Sequence, residues 1–142
     1  MLVGEVMSKD VLTVTPDVPL QHLAKRMVGW DVTFVPVVED QSIVGHVTDR
    51  DVLTRSVASG HNPRMVPVKD IMRREIFLVF EDDDIGLAAE SMREHGTDCL
   101  VVADRAGQLV GTLSLGDLAL RWRDHQMTGE ILHRIQARRR RR

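Results

Sequence analysis

The chain has a single cysteine, no apolar run long enough for a membrane and no leader-like start, and each absence removes a class of protein. Cys99 alone cannot close a disulfide within the chain, and it stands in “CLVVA”, where a thiol acts as a small buried hydrophobe. Nowhere do about 18 apolar residues follow one another as a spanning helix requires. The opening “MLVGEVMSKD” lacks the basic flank and apolar stretch of a secretory leader. A cytoplasmic location without membrane insertion is expected. There is no Gly-rich phosphate loop, no nucleophile with a neighbouring base and no carboxylate pair of clear role, so catalysis is not expected. The histidines His22, His46, His61, His95, His125 and His133 form no close pair at metal-ligand spacing on one element. Neither a metal nor a required cofactor is expected.

What is present describes an ordinary globular chain: 142 residues, 43% hydrophobic and 28% charged. That length suits one domain or two small units sharing a core. The net charge of −2 hides an asymmetry. Residues 1–120 hold 11 Lys and Arg against 19 Asp and Glu, whereas residues 121–142 hold 8 Arg against Asp124 and Glu130.

The chain is also repetitive. “GHVTDRDVL”, Gly45 to Leu53, is answered by “GTLSLGDLA”, Gly111 to Ala119, and the match extends back to “EVM” and “DIM” with one inserted residue in a turn between Asp104 and Gly111. Each half reads as strand, helix, strand, strand, helix. In the first, Val11 to Thr15 is β-rich. Leu20, Leu23 and Met27, flanked by Ala24 and Val28, mark an amphipathic helix ending at Gly29. Val32 to Val38 is a strand whose Pro36 suggests an edge or bulge. Ile43 to Thr48 follows a turn, and Asp49 to Ala58 is helical. In the second, Asp82 to Asp84 open a helix with Leu87, Ala88 and Met92 as its buried stripe and Gly96 as its cap. Leu100 to Ala103 pairs with Gln108 to Ser114, and Asp117 opens the next helix.

The fold class expected is α/β (α+β): two β-α-β-β-α repeats related by a pseudo-twofold and packed sheet to sheet, with two clefts along the contact. The division expected is residues 1–60, a linker at 61–68, a second repeat at 69–122, and a terminal helix with a basic tail at 123–142.

Thr48-x-x-Asp51 and Ser114-x-x-Asp117 each follow a strand and open a helix. One reading is a capping box, although that motif prefers the longer Glu or Gln at its last position. The other is a ligand site: free backbone N–H groups and the helix dipole suit phosphate, and an aspartate there can accept both hydroxyls of a ribose. Gly45 and Gly111 would admit a ligand or a backbone segment close to the preceding strand. The two readings are compatible.

The openings “EVM” and “DIM”, the strand “FVPVV” with its counterpart “LVVAD”, and the endings “GHVTDRDVL” and “GTLSLGDLA” together resemble a tandem pair of cystathionine-β-synthase (CBS) domains, the Bateman module, over about residues 3 to 120. The resemblance implies a stand-alone regulatory module that binds an adenosine nucleotide, such as AMP, ADP, ATP or S-adenosylmethionine, in clefts between repeats, and signals to a separate effector protein. It also implies a homodimer. Carried over residue by residue, it places Thr48 and Asp51 in one cleft with His46 and, from across, Ile76, Phe77, Asp98 and Cys99. It places Ser114 and Asp117 in the other with Thr112 and, from across, Val11, Leu12, Thr33 and Phe34. Asp49 and Arg50 fill the middle of the first motif where the second has Leu115 and Gly116, so the Asp51 cleft, with Arg50 beside it, is favoured for a charged polyphosphate.

The tail carries the competing reading, a non-catalytic interaction protein with vestigial clefts. Its helix would continue the last one, with Trp122 packing back and Ile131, Leu132 and Ile135 as a stripe for a dimer or partner. The run Arg138 to Arg142 either contacts nucleic acid or another anionic partner by counterion release, or is a solvated end. No stacking aromatics accompany it.

Overall fold

The structure, a computed structural model, describes residues 1–140; Arg141 and Arg142 of the expected basic run lie outside the described residues. The opening segment forms one helical turn, α1 (Val3–Val6), that the strand-first reading did not anticipate. Val3 and Val6 are fully buried, and the core they enter is built by the second half of the chain. The chain forms two compact units that cut across the sequence repeats: a central unit, Leu12–Ile76, and a terminal unit of Met1–Val11 with the residues from Phe77 onward.

The central unit holds α2 (Leu20–Trp30), β1 (Phe34–Glu39), β2 (Ser42–Thr48) and α3 (Asp49–Val52). α2 buries Leu20, Leu23 and Met27, as the periodicity requires, but Val28 is 82% exposed. The helix does not stop at Gly29. It runs to Trp30, and Asp31 turns left-handed (φ 54°) to return its N–H to the carbonyls of Met27 and Val28, a conformation Asp tolerates better than most residues. β1 and β2 form an antiparallel hairpin closed by Asp40 and Gln41, both at positive φ as a two-residue primed turn demands. Val35, Val37 and Val47 point into the core with the α2 side chains, and by alternation Phe34, Pro36, His46 and Thr48 share the opposite face. α3 does not continue as an α-helix to Ala58; it widens into a π turn over Leu53–Val57.

The expected strand at Val11 to Thr15 is reduced to one bridge, Val14 with Val37. Val14 donates to the carbonyl of Pro36 and accepts from Val38. The next bond of a parallel ladder would run from residue 36 to Leu12, and proline has no N–H to give. The terminal unit confirms the cause: there valine replaces the proline, Val101 donates to the carbonyl of Phe77 at 3.0 Å, and a true strand forms, β3 (Leu78–Phe80).

The terminal sheet runs β3, β4 (Cys99–Ala103), β5 (Leu109–Ser114), with β3 parallel and β5 antiparallel to β4. α4 (Ile85–His95) starts on Asp84, whose carboxylate accepts from the Gly86 N–H, and stops at Gly96 (φ 61°). It buries Ile85, Ala88, Ala89 and Met92, while the expected Leu87 is 66% exposed. α5 (Leu115–Arg121) is not continuous with the tail helix. Arg123 at φ 64° breaks the chain and Asp124 caps a new helix, α6 (His125–Arg140), by accepting from the Met127 N–H. The stripe on α6 is spent within the terminal unit: Ile131 and Ile135 are buried in its core, Trp122 packs against it, and only Leu132 stays half exposed. Arg138 reaches back to the His95 carbonyl at the end of α4. No helix among the described residues is long and apolar enough to cross a membrane.

Candidate functional site

Both hydroxyl-aspartate motifs sit where a strand turns into a helix, and both are closed capping boxes. Thr48 Oγ1 accepts from the Asp51 N–H (3.2 Å) while Asp51 Oδ2 accepts from the Thr48 N–H (3.0 Å). Ser114 Oγ and Asp117 Oδ2 repeat the pair at 3.0 and 2.9 Å. Aspartate closes the box in both copies, on a capping residue in the extended conformation usual for that position, φ −109° at Thr48 and −103° at Ser114. The remaining oxygen of each carboxylate is engaged too, and here the copies diverge. Asp51 Oδ1 accepts from Arg73 Nε at 2.8 Å, an ion pair with one partner 2% and the other 52% exposed. Asp117 Oδ1 accepts from the Ser8 hydroxyl at 3.1 Å and has no ion pair among the described residues.

Arg73 and Ser8 occupy equivalent places. Each lies in an opening segment that forms an antiparallel bridge to the strand after the motif glycine, Arg73 with His46 and Ser8 with Thr112. The glycines exist for that approach. A Cβ on Gly45 would lie 2.5 Å from the Arg73 carbonyl, and one on Gly111 would lie 2.7 Å from the Ser8 carbonyl. It is backbone, not ligand, that the missing side chain admits. A second pair of residues locks the same segments: Arg55 Nη1 donates to the carbonyls of Ile71 and Met72, and Arg121 Nη1 to those of Val6 and Met7. The signal was in the sequence, an arginine four residues after each motif aspartate, but without the fold its target was not.

The structure sorts the remaining expected site residues by unit. Thr33 and Phe34, expected with Asp117, are brought to Asp51: the Thr33 carbonyl accepts from the Asp49 N–H at 3.0 Å, and Phe34 pairs with Thr48 across the hairpin. Asp98 and Cys99, expected with Asp51, hold the same positions beside Asp117: the Asp98 carbonyl accepts from the Leu115 N–H, and Cys99 pairs with Ser114. These neighbours within each unit follow from the hairpin register, which sets the start of one strand against the end of the next. Leu12 is a core residue of the central unit, and Ile76 ends that unit half-buried. Val11 closes the opening segment, while Phe77 tilts onto the His95 ring, 4.2 Å between centroids. Arg50, the expected cation, is exposed; the cation that touches the carboxylate is Arg73.

Surroundings differ as well. Phe34 and His46 stack on the Asp51 side, 4.9 Å between centroids and 16° between planes. His46 Nδ1 lies 2.8 Å from the Glu75 carbonyl, which only accepts, so that nitrogen carries the proton. Burial holds the imidazole below its ordinary pKa of 6.5, against the opposing pull of that hydrogen bond and of Asp51. The equivalents on the Asp117 side are the small residues Cys99 and Thr112, and burial, with Asp98 and Asp117 adding to it, pushes the Cys99 thiol far up. Beside Ser8 opens a cavity of about 570 Å³ lined by Gly4, Glu5, Met7, Lys9, Asp10 and Arg121, its two acids balancing its two bases. No three His, Cys, Asp or Glu side chains among the described residues converge as metal ligands would.

Comparison with known proteins agrees with this duplicated geometry. The chain is 32% identical to the CBS domain-containing protein YhcV of Bacillus subtilis, over 94% of each chain. Longer curated relatives, homoserine O-acetyltransferases and inosine-5′-monophosphate dehydrogenases, match over only 20–23% of their own length. A conserved CBS domain protein of Thermoplasma acidophilum shares the fold with a TM-score of 0.85 and 26% identity, over 96% of this chain and 76% of that one. The CBS domain pair of protein MJ0100, solved in complex with 5′-methylthioadenosine and S-adenosyl-L-methionine, shares the fold alone: TM-score 0.76 at 21% identity, over 86% of this chain and 99% of that one. The family model for the CBS domain matches twice, at residues 3–58 and 68–123, and the chain therefore belongs to the CBS domain family as a tandem pair.

Proposed function

We propose that this CBS pair is a non-catalytic regulatory module that binds adenosine-containing ligands at Asp51 and Asp117 and transmits occupancy to a separate effector. The supporting observation is the repeated presentation of a carboxylate at a strand-to-helix turn, with the stacked Phe34 and His46 rings on the Asp51 side. Ribose hydroxyls would take over the Oδ1 contacts now made by Arg73 and Ser8, while Oδ2 stays in the capping box. The ligands named for MJ0100 are of this chemical class. Signalling requires that the ligand bind one of two conformational states more tightly. The proposal includes a cytoplasmic location and a homodimer, the latter checked by light scattering on the purified chain.

The competing reading, in which the motifs serve structure only, draws on the same two closed capping boxes. A melting experiment separates the two. AMP, ATP, S-adenosylmethionine or 5′-methylthioadenosine at about 100 times its dissociation constant stabilises the protein by about 2.7 kcal/mol. Asp51→Asn and Asp117→Asn each remove one site's share of the shift. If no adenosine compound at millimolar concentration moves the melting temperature, the ligand reading fails and the structural one stands.

A further inference from the structure

The two sites differ at the one residue that closes the free oxygen of the aspartate. At Asp117 it is a neutral serine hydroxyl, easily exchanged for a ribose hydroxyl. At Asp51 it is a guanidinium held by a charge-assisted bond. A ribose arriving at Asp51 displaces Arg73 Nε from Oδ1. An uncharged nucleoside then leaves the cation without its counter-charge, whereas a phosphorylated one supplies a new anion within reach of the same side chain. The Nη groups of Arg73 make no hydrogen bond among the described residues, and the side chain is half exposed, so it is placed to swing. Its planar fork matches phosphate oxygens in pairs. Among the described residues no cation bonds the Asp117 carboxylate, and the cavity next to Ser8 sets Lys9 and Arg121 against Glu5 and Asp10.

We infer that Arg73 is a charge-selective latch: it makes the Asp51 site prefer phosphorylated adenosine ligands over uncharged ones, while Ser8 leaves the Asp117 site open to uncharged ligands. This rests on the ligand reading above and specifies it, assigning different ligand classes to the two halves by a residue outside the repeated motif.

The test is titration calorimetry on the full chain with AMP and with adenosine. Asp117→Asn isolates the Asp51 site, where AMP should bind at least tenfold more tightly than adenosine. Adding Arg73→Ser should collapse that ratio by tenfold or more, through weaker AMP binding and unchanged or tighter adenosine binding, and Arg73→Lys should keep most of it. Asp51→Asn isolates the other site, where adding Ser8→Arg should raise the AMP-to-adenosine ratio. Because the readout is a ratio within one protein, a general loss of stability does not mimic it. If Arg73→Ser weakens both ligands equally, or leaves the ratio within threefold, the latch is overturned while the ligand reading stands. If the wild-type chain binds neither compound, the ligand reading falls and the latch with it.

Discussion

His46 and Ser56 show how single side chains in the central unit register their surroundings. Burial lowers the His46 pKa, so below about pH 6.5 the unfolded chain takes up a proton that the folded one resists. The unfolded state then binds more protons, and stability rises with pH across that window. It is fully present above the unfolded value and is lost as pH falls from there towards the lower folded value. Urea melts between pH 5 and pH 8 should show this slope in the wild type and a flatter one in His46→Gln. Ser56 is fully buried in the π turn with its hydroxyl unpartnered among the described residues. Ser56→Ala removes a polar group that has lost water without gaining a bond, and should stabilise the protein by about 1 kcal/mol, read from the urea midpoint.

At the scale of elements, the opening segments and the strands they bridge depend on two glycines. Gly45→Ala or Gly111→Ala drives a Cβ into a backbone carbonyl that cannot move without opening the bridge, so each should cost about 1–3 kcal/mol in chemical denaturation. Gly107→Ala, with nothing near its Cβ, meets only the strain of its positive φ (84°). Much of this level was legible in advance. α2 and α4 showed in their apolar spacing, the β1–β2 hairpin in its turn, and the capping boxes in two four-residue patterns. What was not legible depended on partners distant in sequence. The strand at Val14 shrank because Pro36 lacks an N–H, the helix after Asp51 widened, and α6 broke from α5 at Arg123.

At the scale of the whole chain, the repeats of the sequence are not the units of the structure. Val3 and Val6 enter the core of the terminal unit, while Val68, Ile71 and Met72 enter that of the central unit. α6 then belongs to the terminal unit. Ile131→Ala should cost about 2–5 kcal/mol, as a fully buried truncation does, whereas Leu132→Ala should stay within about 0.5 kcal/mol. Denaturation curves of the two variants distinguish a helix that is part of the core from one held ready for a partner.

The sequence by itself determined the duplication, the identity of the paired aspartates and the faces of the main helices, because these rest on a repeated order of residue types and on short periods within single segments. Tertiary structure decided the companions of each aspartate. Arg73 reaches Asp51 from 22 positions away and Ser8 reaches Asp117 from 109, distances over which no local pattern constrains which side chains meet. The contrast between the halves therefore lies less in Asp49 and Arg50, inside the motif, than in an arginine and a serine outside it, brought to the carboxylates by bridges that only a folded backbone can form.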